Sequence, residues 1–202
     1  MVNMRKLERL MCLVLAFTFV IGLAGCKSNS RLSHEKLAEF FNGRGLTKYS
    51  DSNGFLAACS DGTAECEGYI SCKDAESQAI FDELVTSYKQ ETGAKVTETT
   101  ACVLSQEQIN GFYLVFLFSF ENANSASEFY NYNASAFAGT VTGEEKDYSY
   151  SYTVNNVSGD MYQMNCFYLA DNQVMYITGW STELDFVNSI CSTMDVVSPF
   201  QQ

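Results

Sequence analysis

Six cysteines beyond residue 26 are the side chains with the widest chemistry: Cys59, Cys66, Cys72, Cys102, Cys166 and Cys191. No two of them stand in the C-x2-C spacing that is typical of zinc sites and of thiol–disulfide exchange. An even number permits up to three disulfides in an oxidising compartment, and Cys59 and Cys66 flank a short turn. We therefore expect a disulfide between Cys59 and Cys66, with a thiol–disulfide oxidoreductase as an alternative function.

Acid–base and nucleophilic catalysis have few candidates. His34 is the only histidine, so a Ser–His or Cys–His pair can form at one position alone. It stands at a predicted helix start, where we expect a surface residue. Two facing carboxylates can hydrolyse a glycoside, and the 24 acids leave that open, but no spacing identifies a pair. We predict no catalytic residue, no metal site and no cofactor, and a carboxylate-dependent hydrolase is the less favoured alternative.

The charge excludes one class of partner. The formal net charge is −12, whereas nucleic-acid binding requires clustered Lys and Arg. From Val96 to Gln202 the only basic residue is Lys146, against twelve acids. This distribution predicts an acidic face that binds a cationic protein or a small-molecule ligand.

The N-terminus has the composition of a targeting segment. Arg5, Lys6 and Arg9 precede a mostly apolar stretch from Leu10 to Gly25. A helix that crosses a bilayer needs about 20 residues, so this stretch is short for a membrane span. It fits the apolar region of an export signal.

The stretch closes with Leu23-Ala24-Gly25-Cys26, which resembles the lipobox of bacterial lipoproteins. The resemblance covers residues 1–26. It implies that a signal peptidase recognises Leu23, Ala24 and Gly25, and that Cys26 carries a diacylglyceryl thioether and becomes the first mature residue. Because one acyl chain anchors a protein only marginally, the two acyl chains of this group, such as palmitate, are what stable attachment requires. The chain is then expected at the extracytoplasmic face of the cell membrane, with a net charge of −14 after loss of residues 1–25.

The pattern predicts three segments: a signal peptide at residues 1–25, a lipidated Cys with a short tether at 26–32, and one globular domain at 33–202. Candidate helix starts follow Ser33, Asp74, Asn122 and Thr182, which are residues that favour N-caps. Residues 51–62 have no periodicity and are expected to be irregular. Gly111–Phe120 is apolar on both faces, which indicates a central strand.

From residue 67 the predicted order is β-α-β-β-α-β, followed by two strands and a helix. It matches a ferredoxin-like core extended by a C-terminal β-meander and helix. We therefore predict a single α+β domain with an antiparallel sheet and its helices on one face. Residues 67–129 also contain an internal similarity, since Ile70–Phe81 and Phe118–Phe129 share four of twelve residues at an offset of 48. Duplication and convergence on a common strand–cap–helix pattern both explain it.

These observations predict a membrane-anchored extracytoplasmic module that binds a ligand or partner without catalysing a reaction.

Overall fold

The structure is a computed structural model that describes residues 31–60, 66–84, 93–106, 111–136 and 140–200. Its helices are α1 His34–Gly43, α2 Ser52–Ser60, α3 Asp74–Leu84, α4 Ala123–Ala134 and α5 Asp185–Met194. Its strands are β1 Thr47–Lys48, β2 Cys66–Lys73, β3 Val96–Gln106, β4 Gly111–Phe120, β5 Val141–Glu145, β6 Tyr148–Ser158, β7 Met161–Ala170 and β8 Gln173–Ser181.

All eight strands form one open sheet in the order β1-β2-β3-β4-β8-β7-β6-β5. Only the short pair β1–β2 is parallel, and the other pairs are antiparallel. This confirms a single α+β domain with a mostly antiparallel sheet. It also confirms that Gly111–Phe120 is a central strand, because β4 lies between β3 and β8.

The expected ferredoxin-like strand order is wrong. In that fold the first two strands are not neighbours, whereas here β2 pairs directly with β3, with Tyr69 opposite Cys102. The reason lies in the connection through α3. Lys73, which ends β2, lies opposite Glu98 near the start of β3, so the chain returns to the same end of the sheet. A connection that starts and finishes at one end produces an antiparallel neighbour.

The helices cover both faces of the sheet, so the expectation of one face is also wrong. Leu37 of α1 and Phe186 of α5 pack on what we call the front face. Phe55 of α2, Phe81 of α3 and Phe129 of α4 pack on the back face. Since β4 is apolar on both sides, each face needs a cover of its own, and two separate core clusters result.

The chain enters the domain earlier than the sequence predicts. Leu32, which the sequence pattern places in the tether, is 1% exposed and belongs to the front-face core. Arg31 places its guanidinium 2.9 Å from the Asp195 carboxylate and 5.1 Å from the centre of the Tyr148 ring. We call the end of the sheet where β6 begins at Tyr148 the proximal end, and the opposite end the distal end.

Two of the expected helix caps are present. The Ser33 hydroxyl accepts a hydrogen bond from the Lys36 N–H at 3.3 Å, and the Asn122 side chain accepts one from the Ser125 N–H. Each satisfies a backbone donor that the first turn leaves without a partner.

Other boundaries differ from the prediction. Residues 52–60 form α2 instead of an irregular segment, because the Asp51 carboxylate accepts from the Gly54 N–H at 2.9 Å and Phe55 is fully buried. The same hydrogen bond lowers the pKa of Asp51 below its usual value. The last helix starts at Asp185 instead of following Thr182, since the Ser181 hydroxyl accepts from the Glu183 N–H and holds that segment outside the helix.

Candidate functional site

A cleft opens at the distal end of the front face, where the end of α1 meets the start of α5. Its volume is about 300 Å³, within the range of ligand pockets. Leu46, Leu104 and Phe186 give it an apolar lining. The polar lining consists of Arg44, Glu67, Glu183 and Asp185. We call this pocket the distal cleft.

Aromatic packing fixes the position of its single cation. The Arg44 guanidinium carbon lies 5.3 Å from the centre of the Phe40 ring and 6.0 Å from that of Phe186. Its Nη2 donates to the Ser189 hydroxyl at 3.0 Å. The Phe186 ring in turn packs on Tyr113, with 5.3 Å between ring centres. Because the guanidinium is held by rings and a hydroxyl, none of the carboxylates of the cleft holds it.

No cation among the described residues forms a salt bridge with the three carboxylates of the cleft, Glu67, Glu183 and Asp185. With Arg44 counted, the lining carries a formal charge of −2. The described residues also contain no group of three or more His, Cys, Asp or Glu side chains that could hold a metal ion. The acids therefore do not gather into a metal-type cluster, and a cleft with this net charge suits an organic cation.

A second concavity runs along the back face between α4 and the β5–β6 hairpin. Two adjoining hollows share the residues Ser127, Glu144, Ser149 and Leu169. Glu145, Asp147 and Asp171 extend its rim against the single cation Lys146. Burial, followed by the nearby Glu144, raises the pKa of Tyr130 to about 12. We call this wide and open surface the acidic groove.

His34 lies in the interior, which corrects its expected surface position. It is 8% exposed, and its Nδ1 and Nε2 lie 3.0 Å and 2.8 Å from the hydroxyls of Thr100 and Ser119. Burial, with a smaller effect of Lys73, lowers the pKa of His34 to about 4. Ser119 also accepts from the Gln173 amide at 3.0 Å. A neutral imidazole between two buried hydroxyls, lining neither concavity, joins the start of α1 to the sheet and has no access to a substrate.

Three of the described thiols lack the properties of a redox site. Among the cysteines whose side chains the structure describes, no two form a disulfide. Burial raises the pKa of Cys72 to about 12 and that of Cys191 to about 11, and raises the pKa of Cys166 well above its usual value. Thiol exchange requires a thiolate, which a low pKa favours. The side chain of Cys66 lies outside the described residues, so its bond to Cys59 stays a prediction.

The anchor residues also lie outside the described part of the chain. This applies to Leu23, Ala24, Gly25 and Cys26, whose roles stay predictions. None of the helices formed by the described residues is both long and apolar enough to cross a membrane.

The sequence did not predict which residues line the distal cleft or the acidic groove. Glu67, Leu104 and Asp185 come from three distant segments, and the strand order brings them together. The one sequence signal for the distal cleft is the excess of acids beyond Val96. It includes Glu183 and Asp185 but not Glu67, which precedes Val96.

Comparison with known proteins gives one distant likeness. No family model matches the chain, and no curated protein matches it. Among solved structures, the fold is similar to the crystal structure of the extracellular domain of PknH from Mycobacterium tuberculosis. The TM-score is 0.37 and the identity 15%, over 63% of this chain and 80% of that chain.

Proposed function

We propose that this chain is an exported lipoprotein, anchored through Cys26, whose domain binds a small organic cation in the distal cleft. The observation that carries the binding function is the cleft itself: an apolar lining beneath three carboxylates that have no cationic partner among the described residues. A ligand with an ammonium group on an apolar body matches both features. The apolar body is removed from water, and the ammonium group makes charge-assisted hydrogen bonds.

Binding fits the cleft better than hydrolysis does. A hydrolase of the two-carboxylate type needs one acid whose pKa is raised by an apolar environment, so that it can donate a proton. Glu183 and Asp185 are exposed to solvent, and Glu67 is half-buried. These carboxylates are suited to holding a cation.

The position of the cleft agrees with an anchored receptor. Arg31 and Leu32 join the domain at the proximal end. Helix α1 then carries the chain over ten residues, about 15 Å at 1.5 Å per residue, to the cleft. A ligand can therefore reach the cleft from the side of the domain that faces away from the bilayer.

Calorimetry on the full-length chain in detergent tests the ligand class. 2-Phenylethylamine, 2-phenylethanol and phenylacetate share an apolar body and differ in charge. We expect the amine to bind best and the acid worst, and Glu67→Gln combined with Asp185→Asn to weaken amine binding about tenfold, the effect of losing a charge-assisted hydrogen bond. The control is Glu145→Gln in the acidic groove, which should leave amine binding unchanged. Equal affinity for amine and acid would overturn the proposal, as would an equal loss in the control.

The anchor is tested separately, by metabolic labelling with a fatty acid. Cys26→Ser should take up no label and keep the length of the precursor, while Cys59→Ser, a thiol inside the domain, should be labelled like the unaltered chain. Normal labelling of the Cys26 variant would contradict lipidation and leave the cleft hypothesis untouched.

A further inference from the structure

Part of the back face is not covered by any described helix. Helices α2 and α3 lie over β2 and β3, and α4 lies over the proximal half of β4, β8 and β7. At the distal end two rows of side chains remain on that face: Phe112, Trp180 and Gln163 in one row, and Leu114, Thr178 and Asn165 in the next. We call these six residues the distal platform.

The register makes the distal platform flat and regular. Phe112 lies opposite Trp180, which lies opposite Gln163 on the next strand. Three strands at about 4.8 Å spacing place these side chains on a line about 10 Å long, and the second row follows about 7 Å further along the strands. The area accommodates two adjacent six-membered sugar rings.

An aromatic ring stands at its centre. Trp180 is the only tryptophan of the chain and is 42% exposed. A large ring that stays in water at the middle of a sheet face loses apolar contact unless a ligand covers it. Phe112 and Leu114 are half-buried beside it, and both pack on the back-face core below.

A fixed amide provides the polar part. The Asn165 Oδ1 accepts from the Tyr176 hydroxyl at 3.1 Å and from the Thr178 hydroxyl at 2.8 Å. The Tyr176 ring is itself stacked on Phe167, with 4.3 Å between ring centres and 4° between planes. These contacts hold the amide in one orientation, and no described residue accepts from its Nδ2. That N–H2 group is a preorganised donor beside the Trp180 ring.

Charge determines which ligand the distal platform fits. None of its six residues is ionisable, and the positions that extend its two rows are uncharged as well: Ser105, Thr153 and Asn155. The chain as a whole has a net charge of −12, so it repels anions and attracts cations to its acidic surfaces, which lie outside the distal platform. We propose that the distal platform binds an uncharged hexopyranose chain, with one sugar ring stacked on Trp180 and a hydroxyl of the next accepting from the Asn165 amide. This site is independent of the distal cleft, which lies on the opposite face.

Trp180 supplies the readout. The full-length chain is purified in a detergent without a sugar head group and titrated with cellohexaose, N-acetylchitohexaose and maltohexaose. At least one of these neutral oligosaccharides should change the emission of Trp180 saturably at millimolar or lower concentration. Polygalacturonate, which is anionic, should not. Failure of all three neutral glycans, or equal binding of the anionic one, overturns the proposal.

Variants locate the binding. Calorimetry, which does not need the indole, should show an affinity at least about tenfold lower for Trp180→Ala and for Asn165→Ala, the effect expected of a central contact. Tyr132→Ala, which removes a similarly exposed ring on α4, should bind as the unaltered chain does. Glycan binding that survives Trp180→Ala refutes the site. A dimer in sedimentation that Trp180→Ala dissociates also refutes it, because the ring then serves a second copy of the chain.

Discussion

His34 should make the domain lose stability as the pH falls below neutrality. In an unfolded chain a histidine has a pKa near 6.5, whereas burial lowers that of His34 to about 4 in the folded domain. Between these two values the unfolded state binds a proton that the folded state does not bind. By linkage, folding stability therefore falls as the pH is lowered through this window.

The size of the effect follows from the two pKa values. One pKa unit corresponds to about 1.4 kcal/mol, so the full loss below pH 4 is on the order of 3 kcal/mol. At pH 5, where the unfolded state is almost fully protonated at this position, the loss is already about 2 kcal/mol. The charged group that acts on His34 is Lys73, which itself pairs with Glu98 at 3.4 Å.

Urea denaturation at pH 7 and pH 5, compared between the unaltered chain and His34→Gln, measures this term. The glutamine variant retains a polar side chain but does not titrate, so its stability should change less between the two pH values by about 2 kcal/mol. Carboxylates titrate in both proteins and cancel in the comparison.

A second measurement needs no variant. Because the chain has a single histidine, the resonances of its two carbon-bound ring protons are unambiguous and can be followed with pH. A midpoint near 6.5 in the folded protein, or the same pH dependence of stability in both proteins, would refute the argument that burial controls this group.

Three further outcomes test the packing. Gly179→Ala should cost about 1–3 kcal/mol in chemical denaturation, because the added Cβ would lie 2.1 Å from a carbonyl oxygen of β4, whereas Gly43→Ala, with nothing within 4 Å, should cost no stability. Cys166 is fully buried, so a thiol reagent should label it at the rate of unfolding, and rapid labelling of the native domain would contradict its position. Arg31→Ala should lower the free energy of unfolding by less than about 2 kcal/mol, because its partner Asp195 is 80% exposed; a loss above 3 kcal/mol would show a larger structural role.

The sequence predicted the elements whose signals are local. Ser33 and Asn122 are caps because each side chain reaches a backbone N–H three residues away. It failed for β5, since Val141–Glu145 is a polar edge strand with little buried surface and so no apolar alternation. The tyrosines that alternate at the start of β6, by contrast, are a local signal and share one face, with the rings of Tyr150 and Tyr152 stacked 6.0 Å apart.

The buried His34 network and the distal cleft are both non-local, and for that reason the sequence did not show them. His34 meets hydroxyls 66 and 85 positions away, so its burial depends on where α1 packs on the sheet. Glu67 reaches the distal cleft only because β2 lies at the α1 side of the sheet. The two similar strand–helix units, β2–α3 and β4–α4, both fold as strand followed by helix, and duplication and convergence both still explain their similarity.

The short connection between Cys26 and Arg31 limits how an anchored domain can turn. Five residues span at most about 18 Å when fully extended. A ten-residue strand such as β4 is about 33 Å long, so the connection is about half the length of the sheet. Arg31 is held by Asp195 and Tyr148 at the proximal end. With Cys26 lipidated as proposed, the proximal end stays next to the bilayer, while the distal cleft and the distal platform, on opposite faces of the other end, both stay accessible from outside.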